Sequence, residues 1–537
     1  MAVTETPPET VEAASAAATS APRSQPSGLA AVLGSGDHKT IGRLYVLSSL
    51  LLGAGVLVLG LLFGVEAVKP ETWDVFSSAH AMQLFTLLRV ATVFLLAFPL
   101  VIGVALVVVP LQVGAHTVAF PRAAAASYWG WLLGSILLIA SYIADGGPFG
   151  TSAQGIDLWI AALGLVVVSL LVAAVSLATT VLALRAPGMT LDRTPLYAWS
   201  VAVAAVMWLV TLPVMVGFLV LMYVDHRHAG VSLGSSSSLY GALSWIFRNP
   251  QIYVVAIPVL GFVGDVVSTS AGTRSKGRGL AHTAIGIFGT VSFGAFLAVP
   301  STHAVESVLM IVLALVAVVP VLAIGALAAD SVRRGKIKVN PGLAYALASL
   351  VALLLGTVAG AAGTIPGVLE VPEGALASDS IFFLGVTHAV VMAAVIAAVG
   401  GVTWWATKIG RRQAATGPAL LAPAILLIGT VVMVIPDLVS GIVGDGIETA
   451  ADPTGGIAGL NAAALVGVAI AGLGLLVAAV SLLPLLKRSE DDLDADPWGN
   501  GQTLEWLTAS PPSAGNFDAE LAVVTSAEPL FDLREEK

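Results

Sequence analysis

About twelve apolar runs, each long enough to cross a lipid bilayer as a helix, divide this 537-residue sequence. A helix needs about 20 apolar residues to span the hydrocarbon core. The runs occupy 43–66, 82–110, 126–144, 156–184, 198–224, 249–270, 279–300, 304–328, 341–364, 380–406, 418–440 and 458–486. Because no alternating pattern of the barrel kind occurs, we predict an all-α, polytopic membrane protein with about twelve transmembrane helices.

Composition excludes several classes of protein. Only 11% of the residues are charged and 57% are hydrophobic, whereas a soluble globular chain carries roughly 25% charged residues. The chain has 24 Lys and Arg residues against 33 Asp and Glu residues, so nucleic acid is not an expected partner. The high hydrophobic content predicts the lipid bilayer as its environment. Cysteine is absent, which leaves metal or cofactor ligation to eight His and the carboxylates.

The distribution of basic residues predicts the orientation in the membrane. If the N-terminus is cytoplasmic, the cytoplasmic segments before residue 489 hold 18 Lys and Arg residues. The opposite loops then hold only Lys69, Arg227 and Arg248. This bias predicts a multi-pass protein of the cytoplasmic membrane with both termini on the cytoplasmic side.

Changes in composition along the chain predict three regions. Residues 1–36 are rich in Ala, Ser, Thr and Pro and predict a disordered cytoplasmic tail. Residues 37–488 form the twelve-helix transmembrane domain. Residues 489–537 contain twelve acidic residues and predict an acidic cytoplasmic tail. That tail is interpreted as solvated, and a docking strip for a partner is the alternative.

Several motifs, in order along the chain, resemble subunit I of the heme-copper oxidases, the cytochrome c oxidase type. The N-terminal motifs are Asp37–Tyr45, Pro110–Ala115, Ala119–Arg122 and Asn249-Pro250-Gln251-Ile252-Tyr253. The C-terminal motifs are Asp496–Gly499, Thr503–Trp506, Ser510–Pro512 and Asn516-Phe517. The resemblance covers about 37–518 and implies the helical bundle of that family.

The resemblance also implies a set of six His, and most of them are replaced here. In the family two His hold a low-spin heme, one holds a high-spin heme and three hold copper. The first low-spin position falls on Leu88, a copper position falls on Asn249 and the high-spin position falls on Val386. The adjacent copper pair falls near Pro300-Ser301. Only the second low-spin position, His388, is retained, so no cofactor is predicted outright: His388 is the one candidate for a heme contact, and copper binding is not expected.

Two further positions agree with the loss of catalysis. Gln251 stands where the family has a proton-pathway Glu, and an amide does not release a proton at physiological pH. Tyr253 matches the Tyr that the family cross-links to a copper His, but the partner position is Asn249. These residues, with Asn249, are interpreted as degenerate site positions.

Arg89 and His388 leave alternatives open. A charge inside a membrane helix is costly unless it reaches the interface or pairs. Arg89 either extends to the outer interface or fills the space of the lost heme and pairs with a carboxylate such as Asp437. His388 either contacts heme or is an inherited, hydrogen-bonded membrane His.

The sequence therefore favours a non-catalytic, structural or accessory subunit of a respiratory or other membrane redox complex, with other membrane subunits as partners. One alternative is an active terminal oxidase subunit, which transfers electrons to oxygen and translocates protons. The other alternative is a transporter or small-molecule binder that uses the vacated heme cavity.

Overall fold

The computed structural model describes residues 29–68, 78–228, 250–295, 304–365, 380–443, 456–487 and 493–535, with a few isolated positions between them. Within these ranges twelve long helices follow the predicted runs. They are α1 His38–Val68, α2 His80–Gln112, α3 Pro121–Ile143, α4 Ala153–Ala183, α5 Leu196–His228, α6 Pro250–Ala271, α7 Arg278–Ala295, α8 Ala304–Arg334, α9 Pro341–Gly363, α10 Ile381–Trp404, α11 Thr416–Ile442 and α12 Gly456–Leu482.

The helical membrane fold is confirmed. In the described part of the chain, eleven of these helices are long and apolar enough to cross a membrane. The predicted seventh span, 279–300, corresponds to α7, and the residues that follow Ala295 lie outside the described ranges. In their most apolar stretches α2 and α6 are almost entirely buried, whereas few residues of α1 are buried and most are half-buried. The centre of the bundle is therefore built around α2 and α6.

The N-terminal and C-terminal segments lie at the same end of the bundle. His38, at the start of α1, contacts the Oδ1 atom of Asn516 through Nε2 at 3.1 Å. We call this end the terminal face. Residues 1–28 lie outside the described ranges, and Leu29–Leu33 forms a short helix within the predicted disordered tail.

The C-terminal segment is folded against the terminal face, so its interpretation as a solvated tail is wrong for residues 493–535. Trp506 and Val524 are buried, and a final helix, α13 Pro529–Glu535, ends the described chain. Acidic side chains of the segment pair with basic loops, for example Asp532 with Arg274. The acidic residues of the segment therefore pair with the basic loops of this face as well as making the segment soluble.

Candidate functional site

A cavity of about 380 Å³ lies between α1, α2, α10, α11 and α12. Its wall is mostly hydrocarbon and includes Leu88 of α2. The polar members of the wall are Glu66, Arg89, Thr92, Thr387, His388, Asp437 and Asn461. The structure therefore brings together Leu88, Arg89 and His388, three positions that the sequence had singled out separately.

The backbone of α2 changes its winding beside this cavity. Residues Thr92–Ala97 form a π-helical turn directly after the segment that carries Leu88 and Arg89. Thr92 donates a hydrogen bond from Oγ1 to the carbonyl oxygen of Leu88 at 2.7 Å. Short π-helical turns inside α-helices are frequent at functional sites. Thr92, Val93 and Leu96 of this turn line the cavity.

His388 is hydrogen-bonded to an acidic residue of the neighbouring helix. Its Nδ1 atom lies 3.0 Å from Oδ2 of Asp437 on α11. A carboxylate beside Nδ1 places the proton on that nitrogen in the neutral ring and leaves Nε2 as an acceptor. The sequence named Asp437 as a partner for Arg89, and the structure places it beside His388. The pairing of Arg89 with Asp437 stays a prediction.

Arg89 lies in the same cavity, next to an aromatic ring. Its guanidinium carbon is 4.7 Å from the ring centroid of Phe85, one turn earlier in α2. This distance is within the range of a cation–π contact. This contact, and the position of Arg89 in the wall of a cavity, reduce the cost of placing a positive charge inside the bundle.

Two of the positions interpreted as degenerate, Gln251 and Tyr253, lie elsewhere, on α6. Gln251 is fully buried and donates from Nε2 to Oγ1 of Thr211 at 2.8 Å. Tyr253 is also buried and its ring meets Phe288 edge to face, with the centroids 6.5 Å apart. Asn249 lies outside the described residues. Neither Gln251 nor Tyr253 lines the cavity that holds His388.

The described residues that the motifs place at ligand positions do not fit the cofactor set of the resembled family. A heme held by two imidazoles needs a second nitrogen donor in the cavity, and the residue that the motifs place at that position is Leu88. The motifs place the high-spin position on Val386, a buried hydrocarbon side chain. Among the described residues no group of three or more His, Cys, Asp or Glu side chains is placed to hold a metal ion. A single heme contact through His388 stays a prediction.

Two polar residues of the cavity were not predicted from the sequence. Glu66 lies near the end of α1, and Asn461 lies near the start of α12, where its Nδ2 donates to the carbonyl oxygen of Ala67 at 2.8 Å. Glu66 could have been predicted as a site residue, because it is a carboxyl group at the edge of a predicted membrane span. Asn461 carried none, since single amide side chains also occur in membrane helices where they only join one helix to another.

A second polar cluster lies at the terminal face. The carboxylate of Asp265 accepts hydrogen bonds from the backbone amides of Leu196 and Tyr197, at 3.1 and 2.9 Å. Gln112 Nε2 lies 3.4 Å from Asp265 Oδ2 and 3.1 Å from Glu505 Oε1. Glu505 belongs to the C-terminal segment, so this cluster connects that segment to α2 and α6.

Docking of the C-terminal segment is expected to weaken as the pH rises from about 5 to 8. Burial, and secondarily the charge of Asp265, raises the pKa of Glu505 from 4.5 to about 7. The docked state therefore binds more protons than the undocked state between these values, and its stability falls with pH by up to about 3 kcal/mol. Limited proteolysis of the segment across this pH range measures the effect.

The Glu505→Gln variant is the control for the pH dependence. The amide keeps an oxygen acceptor for Gln112 and for Trp405 Nε1, which lies 3.3 Å from Glu505 Oε1. Its proteolysis rate should change less with pH, and the remaining change is assigned to Glu528, whose pKa is also raised by burial. Equal pH dependence in both proteins would show that Glu505 does not control docking.

Comparisons with known proteins agree on one family. Residues 40–478 match the family described as Cytochrome C and Quinol oxidase polypeptide I. A Nocardia farcinica protein described as a probable cytochrome c oxidase subunit 1-beta is 29% identical, with 93% of this chain and 87% of that protein covered. Bacillus subtilis cytochrome c oxidase subunit 1 is 26% identical, with 92% and 82% covered.

A solved structure shares the fold. The cryo-EM structure of a heme-copper terminal oxidase dimer superposes with a TM-score of 0.64 and 14% sequence identity, and covers 92% of this chain and 89% of its own. The family match over most of the chain, the similarity of the relatives and the common fold agree with the motifs. This multi-pass membrane protein therefore belongs to the cytochrome c and quinol oxidase polypeptide I family, the subunit I family of the heme-copper oxidases.

Proposed function

We propose that this chain is a non-catalytic subunit of a respiratory or other membrane redox complex, with a structural or accessory role. The observation that carries the proposal is the cavity shared by His388 and Leu88, where the expected second imidazole is a hydrocarbon side chain. Val386 at the high-spin position supports it. A heme-copper site without these nitrogen donors has no place to reduce oxygen.

Oxygen consumption tests the proposal. The protein is purified from its native membrane with its partners, and oxygen uptake is measured with a reduced electron donor. We expect the complex to lose no activity when His388 is replaced by Phe, because this chain reduces no oxygen. A catalytically competent family member, purified in the same way, shows that the assay works. Oxygen uptake by the isolated chain, with heme and copper bound, would overturn the proposal.

The cavity supports a second candidate function, a small-molecule binder or transporter that uses the former heme region. Its volume of about 380 Å³ lies within the range of small-molecule sites. A few polar side chains converge within an otherwise apolar wall, which is typical of ligand pockets. This function and the accessory role are compatible, because a subunit of a complex can also hold a ligand.

A further inference from the structure

We propose that the cavity between α1, α2, α10, α11 and α12 binds a lipophilic alcohol or phenol, whose hydroxyl group contacts the His388–Asp437 pair. The proposal rests on the second candidate function and assigns a ligand class to it. It is independent of the accessory role, since binding such a ligand neither requires nor prevents a place in a redox complex.

The polar side chains of the cavity lie at one end of it. Glu66 is near the last residue of α1, Asp437 is in the last turns of α11 and Asn461 is near the first residue of α12. All three helix ends are on the face opposite to the terminal face. Deeper in the bundle the wall is mostly hydrocarbon and all five helices contribute to it, with Leu57, Leu96, Val395, Met433, Val468 and Leu475. A ligand that matches this wall therefore has one polar end, which contacts the polar side chains, and one apolar end, which packs against the hydrocarbon.

The His388–Asp437 pair presents a hydrogen-bond acceptor to the cavity, so it favours a ligand that donates a hydrogen bond. Because Nδ1 donates to the carboxylate, Nε2 of the neutral ring accepts. The side chain of His388 is 28% exposed, whereas that of Asp437 is 13% exposed. The more accessible ring lines the cavity and is available to a ligand. A hydroxyl group on the ligand supplies the proton that Nε2 lacks.

The charges of the wall favour a neutral polar end over an anion. The charged residues of the wall are two carboxyl residues, Glu66 and Asp437, and one guanidinium residue, Arg89. Carboxyl groups therefore outnumber guanidinium groups in this wall by two to one. A carboxylate or phosphate end group would add another acidic group in a low-dielectric region. A hydroxyl group avoids this repulsion and still offers its oxygen to a donor.

The helix packing leaves room for the apolar part of the ligand. A Cβ built on Gly60 of α1 would have Val468 Cγ1 at 4.0 Å as its nearest neighbour. Met82, on the wall contributed by α2, is 48% exposed and lies at the rim. At Gly60 a hydrocarbon tail can therefore contact α1 without displacing the backbone of another helix.

Binding of tritiated 4-dodecylphenol to the full chain in lipid nanodiscs tests the proposal. Tritiated dodecylbenzene, which lacks the hydroxyl group, is the matched ligand. We expect the phenol to bind about tenfold more tightly, which is the value of one hydrogen bond in an apolar site. In the His388→Phe variant this preference should disappear, because the Phe ring keeps the bulk and loses the acceptor nitrogen.

Two glycine variants on α1 locate the site. Gly60→Leu places a side chain in the cavity and should reduce phenol binding at least tenfold. Gly55→Leu is the control, because a Cβ on Gly55 meets no atom within 4 Å and this residue does not line the cavity. It should bind the phenol as the unmodified chain does.

Each contrary result has a distinct meaning. Equal binding of the phenol and dodecylbenzene would overturn the ligand class and leave small-molecule binding intact. Equal phenol binding by the two glycine variants, or no binding of either ligand, would overturn the cavity as a binding site. A heme absorption band in the purified chain would assign the cavity to heme and overturn the proposal. Failure of the accessory role would instead appear as oxygen uptake.

Discussion

Replacing Gly467 with leucine is expected to destabilise the helix bundle by several kcal/mol, or to prevent the protein from accumulating in the membrane. A Cβ built on Gly467 overlaps the backbone of Met433, so α11 and α12 pack in direct backbone contact at this point. Backbone atoms cannot move aside as a flexible side chain does, and the helices must separate. The thermal unfolding temperature, measured by size-exclusion chromatography after heating, reports the loss.

Gly459→Leu is the matched control on the same helix. A Cβ on Gly459 meets no atom within 4 Å, so the same substitution there should change stability by less than about 0.5 kcal/mol. The contrast separates a clash from the general effect of replacing glycine in a helix. If both variants unfold at the temperature of the unmodified chain, the close approach of α11 and α12 is not a feature of the protein in the membrane.

Replacing Lys408 with methionine is expected to release the C-terminal segment from the terminal face, at a cost of about 1–3 kcal/mol to docking. Lys408 is fully buried, and its Nζ donates to the carbonyl oxygens of Thr508 and Ala509 at 2.7 and 3.3 Å and to Oγ of Ser510 at 3.1 Å. Methionine keeps the length of the side chain and leaves these acceptors without their donor. Faster limited proteolysis of residues 493–535 measures the release.

The exposed Lys336 supplies the control for this variant. Lys336→Met removes a positive charge from the same face, but the residue is exposed and only its backbone amide has a described partner, the carbonyl oxygen of Ala271. Its proteolysis rate should equal that of the unmodified protein. An unchanged rate in Lys408→Met would contradict the prediction. Burial lowers the pKa of Lys408 to about 8, so the comparison is made at pH 7, where this group is charged.

Much of the fold could be predicted from the sequence because membrane insertion depends on local composition. The run at 126–144 predicted a helix that the structure begins at Pro121 and ends at Ile143. The positions of helix ends and of the π-helical turn at Thr92–Ala97 could not be predicted, because they depend on neighbouring helices. The folding of the C-terminal segment was missed for a related reason. Its acidic residues indicate solubility when considered alone, and their basic partners, such as Arg274, are far away in the sequence.

The candidate site was only partly predictable. The family motifs placed Leu88 and His388 at corresponding ligand positions, and the structure has both in one cavity. The hydrogen bond of His388 to Asp437 joins residues 49 positions apart, on two helices whose relative rotation the sequence does not specify. Arg89 was recognised as a charge inside a predicted membrane helix, but its position over Phe85 depends on the course of α2.

Residue identity and local hydropathy were enough to predict a helical membrane protein of the heme-copper oxidase subunit I family, and the motifs predict that imidazole is missing from five of six ligand positions. Both conclusions follow from the identity of residues and from short-range hydropathy, which do not depend on how helices pack. The cavity shared by Leu88, Arg89, His388 and Asp437 and the docking of the acidic C-terminal segment, in contrast, are visible in the folded chain alone. Those features depend on the relative rotation and spacing of helices, which are set by packing contacts between residues far apart in the chain.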